Sequence, residues 1–201
     1  MRLGVYGGSF DPLHIGHLLL ADTARVEQRL DRVVFVPIGV PPHQKTVRTS
    51  GEQRLRMLQA ALKPYPEFCV DRYEIDSARV SYTVDTLRFF RERYPKDELF
   101  LILSSETFND LPHWRDPSGI CKYASIIVAQ RAGYPAPDFE AMRPFVSDAQ
   151  IDEFRSQLIT MPLMEVSSSL IRERVANGEG IRFLAPDSVV DYIVANRLYQ
   201  K

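Results

Sequence analysis

The residues of this chain best suited to chemistry are two histidines, His14 and His17, that follow the pair Gly7-Gly8. Glycine lets a backbone adopt unusual angles and approach a ligand closely. A spacing of three residues can place both imidazoles on one face at, or just before, the start of a helix. The N–H groups of a first helical turn and the positive end of the helix dipole favour an anion. The stretch 3–17 is therefore interpreted as a cradle for nucleotide phosphates.

Three better-known motifs do not fit this turn. A P-loop needs Gly-Lys-Ser/Thr at its end, and a dinucleotide fingerprint needs a third glycine in G-x-G-x-x-G spacing. A nucleophile elbow fails because Asp11 stands where its final glycine belongs. Two simpler interpretations stay open: the histidines are incidental to a strand-to-helix turn, or they begin a metal site with Asp11 as the third ligand. We predict no resident metal.

A second cluster comprises Ser167-Ser168-Ser169 followed by Arg172 one helical turn later. One serine is enough to cap a helix N-terminus, and capping alone is the simpler interpretation. Three serines and an arginine can also offer hydroxyls, backbone N–H groups and a guanidinium to one oxyanion. Together with the histidine stretch, this cluster predicts a second phosphate clamp.

Other polar or aromatic loop residues have a structural and a functional interpretation. His43 and Lys45 lie on a proline-stiffened loop and are either solvated or directed at a ligand. The single tryptophan, Trp114, either anchors a lid to the core, which we favour from the residues alone, or stacks on a ring. Ser81 or Thr83 could cap the helix that begins there.

Apolar runs typical of buried strands alternate for the most part with segments of helical length and period. The runs lie at 3–6, 33–36, 68–70, 99–103 and 125–129, and the helical segments at 16–29, 51–62, 83–93, 117–123, 168–176 and 187–196. This alternation predicts an α/β, Rossmann-like, doubly wound fold with a mainly parallel sheet and helices on both faces. Ligands of such sheets bind beyond the carboxyl ends of the strands.

Length and composition narrow the possible classes of protein. The 201 residues predict one domain spanning 1–201, within which 135–165 has no clear period and is interpreted as a variable excursion. The 25 basic and 26 acidic residues argue against sequence-independent nucleic-acid binding. Cys69 and Cys121 lack the close spacing of zinc or redox pairs and are interpreted as small buried hydrophobes. Without a signal-peptide layout or a span-length apolar run, we expect a cytoplasmic protein with no membrane partner.

Taken together, the chain resembles the bacterial nicotinate-nucleotide adenylyltransferases of the HxGH nucleotidyltransferase superfamily. The resemblance is carried by stretches distributed over nearly the whole length: 7–17, Val40-Pro41-Pro42-His43-x-Lys45, Ser81-Tyr82-Thr83, Leu111-Pro112-x-Trp114, Arg131-x-Gly133, 167–174 and Asn196-Arg197-Leu198-Tyr199. It implies an enzyme of NAD synthesis that uses ATP and nicotinate mononucleotide, with Mg²⁺ brought by ATP, to give nicotinate adenine dinucleotide and pyrophosphate. A homo-oligomer is compatible with the sequence.

The resemblance also implies roles for individual residues. His14 and His17 would hold the ATP phosphates, and we hypothesise that Lys45 and Arg172 support the departing pyrophosphate. Further ATP-binding residues implied are Gly7, Gly8, Ser9, Phe10, Ser104, Glu106, Arg131, Ser168 and Ser169. Those implied for nicotinate mononucleotide are Ser81, Tyr82, Thr83 and Trp114, where the family uses backbone donors for the carboxylate and a stacked indole ring.

The sequence departs from the family pattern at three places. Ser9 replaces the commoner threonine but keeps the hydroxyl, and Ile38 stands where the family usually has asparagine. Ser104-Ser105-Glu106 replaces a Gly-x-Asp, which adds bulk beside the expected adenosine ribose.

Rival functions stay open at this point. They are an adenylyltransferase for phosphopantetheine, which His14 and the chain length disfavour, one for nicotinamide mononucleotide, a non-catalytic nucleotide sensor, and a metal-dependent hydrolase.

Overall fold

The computed structural model describes residues 1–42, 47–77 and 79–200. Within them, six strands form one sheet in the order β3-β2-β1-β4-β5-β6. The strands are β1 (Arg2–Gly8), β2 (Arg32–Pro37), β3 (Phe68–Val70), β4 (Glu98–Ser104), β5 (Ser125–Arg131) and β6 (Leu158–Met161). β1 pairs parallel with β4, β4 with β5, and β5 with β6. The predicted doubly wound parallel sheet is confirmed, and its strand order reverses at β1, where such folds bind ligands.

Helices connect the strands. They are α1 (Ile15–Glu27), α2 (Gly51–Leu62), α3 (Tyr73–Asp76), α4 (Thr83–Arg93), α5 (Ser105–Asp110), α6 (Pro117–Tyr123), α7 (Asp148–Ser156), α8 (Ser168–Ala176) and α9 (Asp187–Ala195), with 3₁₀ turns at Leu111–His113 and Phe139–Met142. A capping box begins α2, as the spacing of Ser50 and Gln53 in the sequence predicts: Ser50 accepts from the Gln53 N–H and the Gln53 side chain accepts from the Ser50 N–H. Asp116 caps α6 ahead of Pro117, as expected from Pro at a first helical position.

The chain packs as two compact units. The first unit comprises Met1–Tyr6, Leu20–Val34 and Tyr82–Met164, and the second Gly7–Leu19, Phe35–Ser81 and Glu165–Lys201. The core of the first unit includes buried residues of β4 and β5 and the ring pair Phe108–Phe154, whose centroids are 6.0 Å apart. In the second unit, α2 packs against α9, and the rings of Phe10, Phe35 and Phe68 form a continuous row.

Some elements differ from the sequence prediction. Residues 135–165 contain α7 and β6, neither of which we predict, because the polar face of α7 and the four-residue length of β6 leave a weak period. Cys121 is buried as predicted, whereas Cys69 is only half-buried. None of the helices in the part of the chain described has the length and apolar character needed to cross a bilayer.

Candidate active site

The loop after β1 forms the base of the candidate site. β1 continues through Gly7 and Gly8 instead of ending before them, and the left-handed residue of the turn is Phe10, with φ of 47°. Gly8 is required for a steric reason, since a Cβ there would lie 2.9 Å from the buried Phe10 ring. Gly7 is exposed, and a Cβ there would meet open space. The first turn of the cradle is therefore shaped by the ring of Phe10.

The two predicted histidines lie against each other. His14 is buried just before α1, His17 is half-buried in the first turn of α1, and their ring centroids are 3.7 Å apart. The backbone N–H of His14 donates to Nδ1 of His17 over 3.2 Å. Because Nδ1 accepts this hydrogen bond, the proton of the neutral His17 ring resides on Nε2. The geometry thus makes Nε2 of His17 a hydrogen-bond donor.

The three serines before α8 make different hydrogen bonds. Ser167 is the N-cap of α8 and accepts from the Leu170 N–H, so the capping interpretation holds for this serine. Ser168 Oγ instead donates to the Pro12 carbonyl over 2.8 Å. Nη1 of Arg172 donates to the Asp11 carbonyl over 2.7 Å, and its Nη2 donates to Ser169 Oγ over 3.0 Å. The start of α8 therefore lies directly on the loop that leads to His14.

The neighbouring serines allow a matched test of capping against phosphate binding. We expect Ser167→Ala to lower the free energy of unfolding by about 1 kcal/mol, the usual cost of a lost N-cap, with KM for ATP unchanged. We expect Ser169→Ala, at an exposed position, to change stability by less than about 0.5 kcal/mol while raising KM for ATP several-fold. Urea unfolding and steady-state kinetics measure both quantities. Equal effects of the two changes on KM would contradict the assignment.

Asp11 is a structural carboxylate in this site. Its side chain is 2% exposed and accepts from the Arg48 N–H over 2.5 Å, Thr49 Oγ1 over 2.7 Å and the Tyr199 hydroxyl over 2.7 Å. A carboxylate engaged by three donors is poorly placed to ligate a metal beside the histidines. No group of three His, Cys, Asp or Glu side chains suited to a metal ion occurs among the described residues.

Arg54 is a site residue that the sequence analysis misses. It is 1% exposed on α2 and donates to the Ser9 carbonyl over 3.0 Å and to the Ile38 carbonyl over 2.7 Å. Burial lowers the pKa of Arg54, and the charge of Asp11 partly offsets this effect. The available signal was its place on the apolar stripe of α2, one residue before Leu55 and three before Met57.

Ile38, which stands where the family usually has asparagine, forms hydrogen bonds through its backbone. The Ile38 N–H donates to the Gly8 carbonyl over 2.9 Å, and the Ile38 carbonyl accepts from Arg54. Next to it, the Gly39 N–H donates to Ser81 Oγ over 3.2 Å, and a Cβ at Gly39 would overlap the Glu74 carbonyl oxygen. The Ser81 hydroxyl therefore holds the loop after β2, and the interpretation of Ser81 or Thr83 as the helix cap is wrong, since Tyr82 is the N-cap residue.

In the first unit, Ser104 and Glu106 are at the start of α5. Ser104 Oγ caps the helix by accepting from the Thr107 N–H over 3.3 Å. Glu106 forms an ion pair with Arg131, whose guanidinium lies 3.7 Å from the centroid of the Tyr134 ring. Burial alone would raise the pKa of Glu106, but its hydrogen bonds to its own backbone N–H and to Arg131 outweigh this, so the pKa lies below its ordinary value. Glu106 is thus held as a carboxylate.

The residues predicted for the nicotinate end also lie in the first unit, apart from Ser81. Tyr82 contributes no side-chain hydrogen bond to the first turn of α4, and its ring is 4.5 Å from the Arg115 guanidinium. Thr83 is the first residue of α4 and is half-buried. Trp114 is half-buried after the 3₁₀ turn, so the indole is not the fully buried core anchor that the residues alone favoured. His43 and Lys45 lie outside the described residues.

The family model described as cytidylyltransferase-like matches residues 5–174. A protein of Carboxydothermus hydrogenoformans with the name "Probable nicotinate-nucleotide adenylyltransferase" is 38% identical over 201 residues, covering 99% of this chain and 98% of its own. One of the same name from Rubrobacter xylanophilus is 36% identical over 203 residues, covering 100% of this chain and 92% of its own. The chain belongs to the nicotinate-nucleotide adenylyltransferase family.

Solved structures agree on the fold. The nicotinic acid mononucleotide adenylyltransferase of Plasmodium falciparum, complexed with NaAD, superposes with a TM-score of 0.76 over 98% of this chain and 97% of that one. The two sequences are 18% identical, so this likeness bears on the fold alone.

Proposed function

We propose that this protein transfers the adenylyl group of ATP to nicotinate mononucleotide, giving nicotinate adenine dinucleotide and pyrophosphate for NAD synthesis. Full-length identity to relatives of that name supports the substrate pair. The observation that carries the chemistry is the attachment of Arg172 and Ser168 to the loop that leads to His14. Two groups of anion-binding side chains are thereby brought to one backbone segment.

The reaction needs no nucleophilic side chain. An oxygen of the mononucleotide phosphate, already ionised at neutral pH, forms a bond to the α-phosphorus of ATP. The bond from that phosphorus to the bridging oxygen breaks in line, and pyrophosphate leaves with the electron pair. The protein has to align the two phosphates and stabilise the charge that develops between them.

The histidine pair supplies fixed donors for this charge. The hydrogen bond from the His14 backbone to Nδ1 of His17 fixes the ring, so Nε2–H of His17 can donate to an oxygen of the α-phosphate without reorganising. His14 packs on the same ring and adds a second imidazole. Gly7, Gly8, Ser9 and Phe10 shape the backbone beneath the phosphates.

The start of α8 serves the leaving group. Arg172 donates one N–H to the Asp11 carbonyl and one to Ser169. Its guanidinium has further N–H groups that can donate to phosphate. Ser168 and Ser169 bring hydroxyls and α8 its N-terminal dipole. Lys45 would add a further cation.

The remaining residues recognise the two nucleosides. Tyr82 leaves the first-turn N–H groups of α4 without a cap side chain, which suits a backbone grip on the nicotinate carboxylate near Thr83, with Trp114 stacking on the pyridine ring. Ser81, which precedes this turn in the chain, holds the loop after β2 by accepting from the Gly39 N–H. The Glu106 carboxylate, held by Arg131 beside the Ser104 cap, would accept from the hydroxyls of the adenosine ribose.

Magnesium enters this scheme as part of the substrate, Mg·ATP, and would neutralise charge on the transferred and departing phosphates. A homo-oligomeric state, a cytoplasmic location and the lack of a nucleic-acid partner stay predictions.

The test is a pyrophosphate-release assay with ATP and three acceptors. We expect turnover with nicotinate mononucleotide, roughly 10- to 100-fold lower kcat/KM with its amide because a hydrogen bond to a charged group is lost, and background release with phosphopantetheine. Equal or greater turnover of phosphopantetheine would contradict the proposal. ATP binding without pyrophosphate release from any mononucleotide would instead identify a sensor, and phosphate release without ATP would identify a hydrolase.

A further inference from the structure

The loop that leads to the histidine pair accepts hydrogen bonds from other elements at three of its backbone carbonyls. Arg54 donates to the carbonyl of Ser9, Arg172 to that of Asp11, and Ser168 to that of Pro12. These bonds fix where the loop runs. The side chain of Asp11, the middle one of these three residues, accepts hydrogen bonds from a separate set of donors.

That set ties the Asp11 carboxylate to two segments remote in sequence. Oδ2 accepts from the Arg48 N–H, and Oδ1 accepts from both Thr49 Oγ1 and the hydroxyl of Tyr199. Thr49 is itself 7% exposed, so its hydroxyl gives little access to water. A buried carboxylate needs each of these donors, since a partner removed without replacement leaves charge unpaired.

The backbone conformation of residues 197–199 positions the Tyr199 side chain. Its φ of 63° and that of Arg197, 50°, are both left-handed, a conformation that costs energy for residues with a side chain. Between them, Leu198 is buried and donates its N–H to the Ile193 carbonyl. Burial raises the pKa of Tyr199, and so does the bond to Asp11, so the hydroxyl stays protonated and donating.

We propose that Tyr199 is a positioning residue for the transfer reaction. Its hydroxyl holds the Asp11 carboxylate and thereby fixes the position of the loop that Arg172 binds and that leads to the histidine pair. This inference rests on the proposed function. It assigns Tyr199 a role in the reaction that does not depend on contact with the substrate.

The test is Tyr199→Phe, which removes one oxygen and keeps the ring. We expect kcat to fall and KM for ATP to rise, for a loss in kcat/KM for ATP on the order of tenfold, because misplacement of about 1 Å can cost up to about 10²-fold. KM for nicotinate mononucleotide should stay unchanged. The melting temperature should fall by less than about 8 °C, and a thermal melt of the variant checks that it is folded at the assay temperature.

Tyr192→Phe is the matched control. It removes a hydroxyl from α9 in the same unit, where no hydrogen bond of that hydroxyl is found among the described residues, and should leave kcat and both KM values unchanged. The pair Tyr199→Phe and Asp11→Asn completes a double-mutant cycle. If the tyrosine acts through Asp11, the double variant binds ATP no more weakly than Asp11→Asn alone.

Three results would overturn the inference: wild-type kinetics for Tyr199→Phe, an equal rise in KM for both substrates, or additive losses in the cycle. Titration calorimetry measures the ATP affinity of each variant in the cycle without depending on turnover. An inactive wild type would therefore reject the proposed function while the calorimetric cycle still decides the role of Tyr199.

Discussion

Replacing His17 with alanine is expected to lower kcat by a factor on the order of 10² to 10³, the usual cost of losing one fixed donor to a transition-state charge. KM for nicotinate mononucleotide should change little, because the residues predicted for that substrate are elsewhere in the chain. The control is His113→Ala, which removes an exposed imidazole from the 3₁₀ turn before Trp114. Its kcat should remain within about twofold of wild type.

Two isosteres separate catalysis by His17 from its structural bond. Asparagine places a carbonyl oxygen near Nδ1 and can still accept from the His14 N–H, but it lacks a group at Nε2. Glutamine reaches the Nε2 position with an amide donor and gives up the inner acceptor. If Nε2–H contacts the phosphate, His17→Asn should be nearly as slow as His17→Ala, and His17→Gln should recover part of the rate. Turnover of His17→Ala within threefold of wild type would refute the role.

Patterns along the sequence predicted the features that depend on local chemistry. The doubly wound sheet follows from apolar runs alternating with helical periods, and five of the strands are found where those runs lie. The Ser50–Gln53 capping box and the Asp116 cap follow from residue type and spacing. The groups predicted to bind phosphate, an imidazole pair and a serine-rich helix start followed by Arg172, were likewise chosen by residue type and spacing, and their role stays a prediction.

What the sequence did not predict depends on contacts between distant residues. Nothing local indicates that Asp11 is held by Thr49 and Tyr199, which lie 38 and 188 positions away. The turn after β1 was expected to owe its shape to the glycines, whereas Phe10 takes the left-handed conformation and its ring excludes a Cβ at Gly8. The sequence specified which groups could bind phosphate, and tertiary packing specified how they are held.

The buried guanidinium of Arg54 gives the largest expected effect on stability. Arg54→Met keeps most of the apolar stem but leaves the carbonyls of Ser9 and Ile38 without their donors, and it removes the cation beside Asp11. We expect the free energy of unfolding to fall by about 3 to 5 kcal/mol, the range found when one partner of a buried charged group is removed. Urea unfolding, with an unchanged slope, measures the loss.

Arg56→Met is the matched control, two residues along α2. Its guanidinium is solvent-exposed and pairs with Glu52 on the surface, so its loss should cost less than about 0.5 kcal/mol. Arg54→Lys keeps the positive charge but cannot donate to two carbonyls from a planar fork, and it should fall between wild type and Arg54→Met. If Arg54→Met lowered the free energy of unfolding by less than about 1 kcal/mol, the loops after β1 and β2 would keep their positions without the Arg54 guanidinium. The phosphate cradle would then owe its geometry to α8 and the Asp11 carboxylate alone.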